Sequence, residues 1–216
     1  MHPDRLKWNR KHRLTGPGYG PCTAVADYVH LARPGRALDI AAGNGRNALF
    51  MADKGFAVDA VDISDVGLRL FAGRHASVFA FCANLETYEI AANRYNLIIN
   101  INYLNRRLFP FIQQGLVPGG LLIFETFLHP PGFHPHKPFS PEHLDHLLKP
   151  GELAVAFPLL TPLVCRETDA PASGDPYPSA LLVALKAGAG CRSETTEYLS
   201  STDPSPGGSR CGCKRK

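Results

Sequence analysis

At 216 residues the chain has room for one α/β domain with a substantial core, and too little for a cofactor domain plus a separate catalytic domain of ordinary size. Its 44% hydrophobic and 19% charged residues, with 20 glycines and 19 prolines, describe a globular, turn-rich chain and exclude fibrous or low-complexity architecture. The net charge of +4 is already reached within residues 1–16, where Arg5, Lys7, Arg10, Lys11 and Arg13 face only Asp4, so the rest of the chain is neutral and does not point to nucleic acid as a partner.

In chain order, residues 1–20 show no clear period and are expected to form a basic arm laid on the domain. Residues 23–31 have helical spacing and stop at Arg33-Pro34-Gly35. From Leu38 onward, short β-rich runs alternate with helical patterns. Strands are expected at 37–40, 57–61, 77–82, 97–101, 121–127, 163–167 and 180–186, and helices at 46–54, 65–72, near Tyr88, and at 107–115, 142–148 and 152–157. Gly55 suits the residue after a helix, Ser64 suits an N-cap, and Val117-Pro118-Gly119-Gly120 suits a turn feeding a strand. Residues 129–141, rich in proline and histidine, read as a loop above the sheet's carboxyl edge, and 170–178 as a joint between the last two strands. Residues 187–216 carry too few apolar side chains to offset their ordering entropy, and a disordered tail is expected there.

No run of about 18 apolar residues is present to span a bilayer, and no apolar leader opens the chain, so a cytoplasmic location is expected. The six cysteines lack C-x-x-C spacing, which points to neither a disulfide framework nor a zinc site, and no metal is expected. Cys82 and Cys165 fall in strand-like runs and read as small core residues.

The chemistry concentrates in Leu38-Asp39-Ile40-Ala41-Ala42-Gly43-Asn44-Gly45-Arg46-Asn47, a strand ending in an acid, then a glycine turn, then a helix. Gly43 and Gly45 let the backbone bend tightly and let a ligand lie against main-chain N–H groups at the helix start. Asp62 closes the next strand about 20 residues on, the placement a ribose-binding carboxylate needs in a βαβ unit. The looser G-x-G-x-x-A reading fits a nicotinamide cofactor as well. Against it, Asp39 precedes the glycines, where it would repel a pyrophosphate and attract a cationic ligand, and no companion domain is present for hydride transfer.

These residues resemble the first motif of class I S-adenosylmethionine methyltransferases, and Val58 to Ile63 resembles the second. Asn84, in Cys82-Ala83-Asn84-Leu85-Glu86, stands where that family turns an Asp or Asn toward the adenine, and Tyr95 to Asn100 and Gly119 to Glu125 resemble its fourth- and fifth-strand motifs. Gly45-Arg46-Asn47, Asn102-Tyr103-Leu104, Leu108-Phe109-Pro110 and Glu125-Thr126-Phe127 resemble the bacterial tellurite-resistance branch. Two departures stand out: Ala41 replaces the usual first glycine, and Asn96 the commoner acid of the fourth strand.

The resemblance implies a Rossmann-like, doubly wound α/β fold: a mostly parallel seven-stranded sheet whose last strand is antiparallel, in a domain spanning 21–186. It also implies S-adenosyl-L-methionine as cofactor, bound by Asp39, Ala41, Gly43, Gly45, Asp62, Ile63, Asn84, Leu85 and Asn100, and a small-molecule acceptor. His129, His134 and His136 are candidates for a general base. An NAD-dependent oxidoreductase and a non-catalytic adenosyl-binding module stay open as alternatives.

Overall fold

A computed structural model describes residues 2–17, 20–129, 146–168 and 178–188. Its seven strands are β1 (Arg36–Ile40), β2 (Ala57–Asp62), β3 (Val78–Cys82), β4 (Tyr95–Ile101), β5 (Leu116–Phe127), β6 (Leu160–Thr168) and β7 (Ser179–Lys186). They form one sheet in the order β3-β2-β1-β4-β5-β7-β6. Neighbours from β3 to β5 pair parallel, while β7 is antiparallel to both β5 and β6. Every expected strand is present. The turn expected at Val117 to Gly120 is a bulge within β5: Leu116 pairs with Tyr95 and Leu121 with Leu97, so the residues between loop out of the ladder, with Gly119 at φ +77°.

The alternation of side chains along the strands divides the core into two layers. Ala37, Leu97, Ile99, Leu121 and Ile123 pack on one face with Val25, Met51, Phe56 and Phe71. Leu38, Ile40, Ile98, Leu122 and Phe124 pack on the other with Leu108, Ile112 and Phe157. Helices α2 (Thr23–Tyr28, continued by a 3-10 turn Val29–Leu31), α3 (Arg46–Asp53) and α4 (Asp65–Arg69) supply the first layer. A 3-10 turn Arg106–Leu108, α5 (Phe109–Gly115) and α6 (Glu152–Val155) supply the second. The caps fall where the residue types place them: Ser64 Oγ accepts from Gly67 N–H at 3.0 Å, and Gly55, after α3, has φ +90°.

Several expectations are corrected. The amino-terminal segment is not aperiodic coil but helix α1 (Pro3–Thr15), begun by a His2 N-cap and Pro3, with Asp4 in its first turn and His12 and Arg13 in its last. No helix forms near Tyr88. The Asn84 carboxamide accepts from Glu86 N–H at 3.0 Å and Thr87 N–H reaches Asn84 O at 3.1 Å, a local turn that competes with a helix. Cys82 and Cys165 are exposed rather than in the core, because β3 and β6 are the two edge strands. The helix expected at 65–72 ends at Arg69, and the one at 152–157 at Val155. Leu148, expected in a helix, makes a parallel bridge to Leu128 instead. Most of the proline- and histidine-rich loop, the joint between the last two strands, the segment 142–145 and the tail from 189 lie outside the described residues. Among the described residues, no helix is long and apolar enough to cross a membrane.

Candidate functional site

Strands β3, β2, β1 and β4 bring their carboxyl ends side by side to one edge of the sheet, and the direction of strand addition reverses between β1 and β4. Connections leaving such a pair go to opposite faces, so a crevice opens at that point. All nine expected cofactor residues lie along this edge: Asp39, Ala41, Gly43 and Gly45 at the exit of β1, Asp62 and Ile63 at that of β2, Asn84 and Leu85 after β3, and Asn100 in β4.

The turn leaving β1 is tightly wound. Ala41, Gly43 and Gly45 have φ of +57°, +58° and +77°. A Cβ on Gly45 would collide with the Phe71 ring, so that position has neither the space nor the backbone for another residue. Ala41 adopts the same left-handed conformation with a Cβ in place, at a cost of about 1–2 kcal/mol.

Asp62 holds this turn from the next strand. Its Oδ2 accepts from Gly43 N–H at 2.8 Å and its Oδ1 from Ser64 N–H at 2.7 Å. Burial raises its pKa, and the two N–H groups and His12 oppose the rise. Asp39, 1% exposed, lies close enough to the Ala48 N–H, in the first turn of α3, for that group to favour its charged form, and α3 has no side-chain cap from its own N-cap Gly45. Among the described residues its Oδ2 is buried with no hydrogen-bond partner. Burial and the nearby Asp62 push the carboxyl up to about 8, with Arg46 and the Ala48 N–H pulling the other way. A buried carboxylate in this state is stabilised by any cation that reaches it.

Other expected residues have part of their bonding capacity committed. Asn100 donates to Tyr103 O at 2.6 Å, bracing the chain as it leaves β4, where Asn102 has φ +56°. Ile63 O accepts from Arg5 Nε at 3.0 Å, and Leu85 is buried in the second core layer. Asn96 lies at the opposite end of β4, where its carboxamide accepts from Arg36 N–H at 3.1 Å, so its departure from the usual acid does not touch this edge. His129 follows β5 and donates its backbone N–H to Leu148 O at 2.8 Å, while His134 and His136 lie outside the described residues.

Three features escape sequence reasoning. Arg46, the first residue of α3, sends its charge toward both Asp39 and Cys22, yet its guanidinium makes no ion pair among the described residues. The Cys22 thiol donates to Glu125 Oε2 at 3.2 Å, and Cys22 N–H donates to Asn47 Oδ1 at 2.8 Å. Burial and the carboxylate push that thiol up to about 11. Helix α1 crosses the edge itself: Arg5 reaches Ile63 O and Cys82 Sγ, Asn9 bonds Ser64 Oγ at 2.7 Å and Asp65 at 2.8 Å, and His2 approaches Glu86 at 3.5 Å. The signal for Arg46 was present in Gly45-Arg46-Asn47, but nothing in a sequence shows that a guanidinium lacks a partner.

Together, these groups line the edge with an acid and a guanidinium that are both without a partner among the described residues, and a turn rich in backbone N–H groups. Such a set suits a ligand that carries an ammonium and a carboxylate close together and a further positive charge.

Comparison with known proteins agrees with this geometry. A SAM-dependent methyltransferase of Methanosarcina mazei superposes with a TM-score of 0.62 at 17% identity, covering 79% of this chain and 100% of that one. TehB of Haemophilus influenzae gives 0.65 at 16%, covering 84% of this chain and 66% of that one. The 1,6-didemethyltoxoflavin-N1-methyltransferase of Burkholderia thailandensis, solved with 1,6-didemethyltoxoflavin and S-adenosylhomocysteine, gives 0.53 at 20%, covering 76% of each. At these identities the likeness is one of fold. Among curated proteins none matches the chain's sequence. The profile of the family described as Tellurite resistance protein TehB matches residues 9–119, just over half of the chain and inclusive of every edge residue from Asp39 to Asn100. The chain therefore belongs to the TehB tellurite-resistance family and has the fold of the SAM-dependent methyltransferases.

Proposed function

We propose that this chain is a methyltransferase that moves a methyl group from S-adenosylmethionine to a small-molecule acceptor, with residues 21–186 as the catalytic domain and α1 laid across its cofactor edge. The observation that carries the reading is the buried Asp39 Oδ2 within the field of Arg46, neither having a partner among the described residues. An α-amino acid offers the complement of that pair, an ammonium for the acid and a carboxylate for the guanidinium.

Along the edge, Asp39, Ala41, Gly43 and Gly45 take the methionine end, Asp62 and Ile63 the ribose, and Asn84 and Leu85 the adenine, with Asn100 beside the crevice. The oxygens of Asp62 retain acceptor capacity after bonding Gly43 and Ser64, so a hydroxyl can still donate to them. The bound cofactor supplies an already activated methyl group. The protein's work is then to orient the donor, hold the acceptor in line behind the methyl and exclude water. Glu125 and Cys22, near the carboxyl end of β5 and at the start of α2, are bonded to each other within the field of Arg46, which supports a place for them at the border of the methionine subsite. The small-molecule class is supported by the Burkholderia thailandensis enzyme, whose structure holds 1,6-didemethyltoxoflavin.

A nicotinamide cofactor fits less well. The dinucleotide fold adds its sixth strand parallel at the sheet's edge, whereas here an antiparallel β7 lies between β5 and β6. Calorimetric titration with S-adenosylmethionine and with NAD(H) separates the two readings, and binding of the nicotinamide alone would end the methyltransfer proposal. Release of S-adenosylhomocysteine in the presence of thiol, metalloid, amine and carboxylate acceptors identifies the acceptor class. Binding without release on any of them would leave an adenosyl-binding module.

A further inference from the structure

Among the described residues, the buried side-chain nitrogen and oxygen atoms without a hydrogen-bond partner include Asp39 Oδ2 and His12 Nδ1, and both border the same glycine turn. His12 is 8% exposed although it sits near the end of a helix on the outside of the domain. Its ring is wedged between the turn and α4. A Cβ on Gly43 would lie 3.3 Å from His12 Cε1, and one on Gly67 would lie 2.9 Å from its Cδ2, so glycine at both positions makes room for the imidazole. Trp8, one helical turn earlier, lies 6.2 Å from it, centroid to centroid, and closes the outer side.

A polar atom in such a place carries a desolvation penalty unless something bonds it. The surrounding protein does not: Asn9, its neighbour on the inner face of α1, is committed to Ser64 and Asp65, and Gly43 N–H is held by Asp62. The ring therefore shares its backbone contact, Gly43, with the acid assigned above to the ribose, and it lies within the field of that acid. Burial lowers the proton affinity of the imidazole, with Asp62 opposing and Lys11 assisting. A neutral ring presents one donor and one acceptor and adds no positive charge beside a sulfonium.

From this arrangement we infer that His12 is a cofactor-contacting residue, delivered by α1, whose Nδ1 bonds a ribose hydroxyl of the adenosyl group alongside Asp62. The inference rests on the cofactor reading given above. It makes α1 part of the binding site rather than a cover laid over it.

The test is titration calorimetry with S-adenosylhomocysteine and its 2′-deoxy and 3′-deoxy forms, on the wild-type chain and on the variants His12→Ala and His12→Asn. His12→Ala is expected to lose about tenfold in affinity for S-adenosylhomocysteine, the size of one hydrogen bond. With the deoxy form that lacks the contacted hydroxyl, wild type and His12→Ala should bind alike, and His12→Asn should recover part of the loss on the full ligand. Equal losses on all three ligands, accompanied by a lowered unfolding midpoint, would mean that His12 only packs and would overturn the inference, as would no loss at all. Absence of S-adenosylhomocysteine binding by the wild type would instead remove the cofactor reading, and the inference with it.

Discussion

Asp62 Oδ2 accepts from the Gly43 backbone N–H at 2.8 Å, so the acid that closes β2 also fixes the turn that leaves β1. The two halves of the cofactor edge are thereby one mechanical unit. Replacing Asp62 by Ala removes the acceptor of two N–H groups, that of half-buried Gly43 and that of buried Ser64, as well as the carboxylate proposed to bind the ribose. Affinity for S-adenosylmethionine should fall at least 100-fold and stability by about 2 kcal/mol, the scale of buried groups left unsatisfied. Calorimetric titration and urea unfolding measure the two separately.

The titration of Asp39 sets a pH dependence with a defined sign. Its carboxyl stands at about 8 in the folded chain against an ordinary value of 3.8, so between those values the folded state holds a proton that the unfolded chain has released. The stability of the free protein should therefore decline through this group as pH rises from about 4 to 8, and Asp39→Asn should flatten that decline. A cation bound at Asp39 favours the carboxylate. S-adenosylmethionine should bind more tightly at pH 7.5 than at pH 6 and release protons on binding, counted by calorimetry in buffers of different ionisation heat. Asp39→Asn should bind about 10- to 100-fold more weakly at pH 7.5 and without that slope.

Arg46 is the other residue proposed to hold the amino-acid end. Arg46→Met should weaken S-adenosylmethionine about 10- to 100-fold, the range of a charge-assisted bond. Binding of 5′-methylthioadenosine, which has no carboxylate, should not change. If both ligands weaken equally, Arg46 holds the fold and not the ligand.

Ala41 occupies a left-handed position that glycine tolerates without penalty. Ala41→Gly relieves the clash of its Cβ with the following carbonyl but gives the unfolded chain more freedom, leaving a net gain of about 1 kcal/mol. Thermal unfolding should show a raised midpoint, with S-adenosylmethionine affinity equal or better.

At the other end of the sheet, Asp59 receives Arg36 through two bonds of 2.8 and 2.6 Å and the Tyr95 hydroxyl at 3.0 Å, while being almost wholly buried. Asp59→Ala leaves the Tyr95 hydroxyl and the part-exposed Arg36 without their acceptor and should cost about 1–3 kcal/mol. Ligand affinity, measured where the variant is still folded, should stay within twofold, which separates this network from the cofactor edge.

The sheet and the glycine turn were legible in the sequence because their causes are local. Runs such as Leu97 to Ile101 are apolar enough to be read as strands, and glycine is the residue a left-handed backbone favours at Gly45. Helix α1 was not legible because it docks through Asn9, Arg5 and His12 instead of an apolar stripe, leaving Leu6 and Leu14 exposed and no period to detect. The exposure of Cys82 and Cys165 was hidden for a different reason. A strand's residues do not state whether it lies at the middle or the margin of a sheet, and that is settled only by the order β3-β2-β1-β4-β5-β7-β6. The segment near Tyr88 misled because Asn84 offers its carboxamide to the backbone two residues on, outcompeting a helix.

The polar docking of α1 bears on how the protein responds to temperature. A helix seated by the hydrogen bonds of an arginine and an asparagine exchanges those bonds for water when it lifts, and with Leu6 and Leu14 already exposed it bares little hydrocarbon in doing so. Heat capacity follows newly wetted hydrocarbon, so the opening equilibrium of this helix carries only a small heat-capacity change, and its enthalpy stays nearly constant while that of global unfolding climbs steeply on warming.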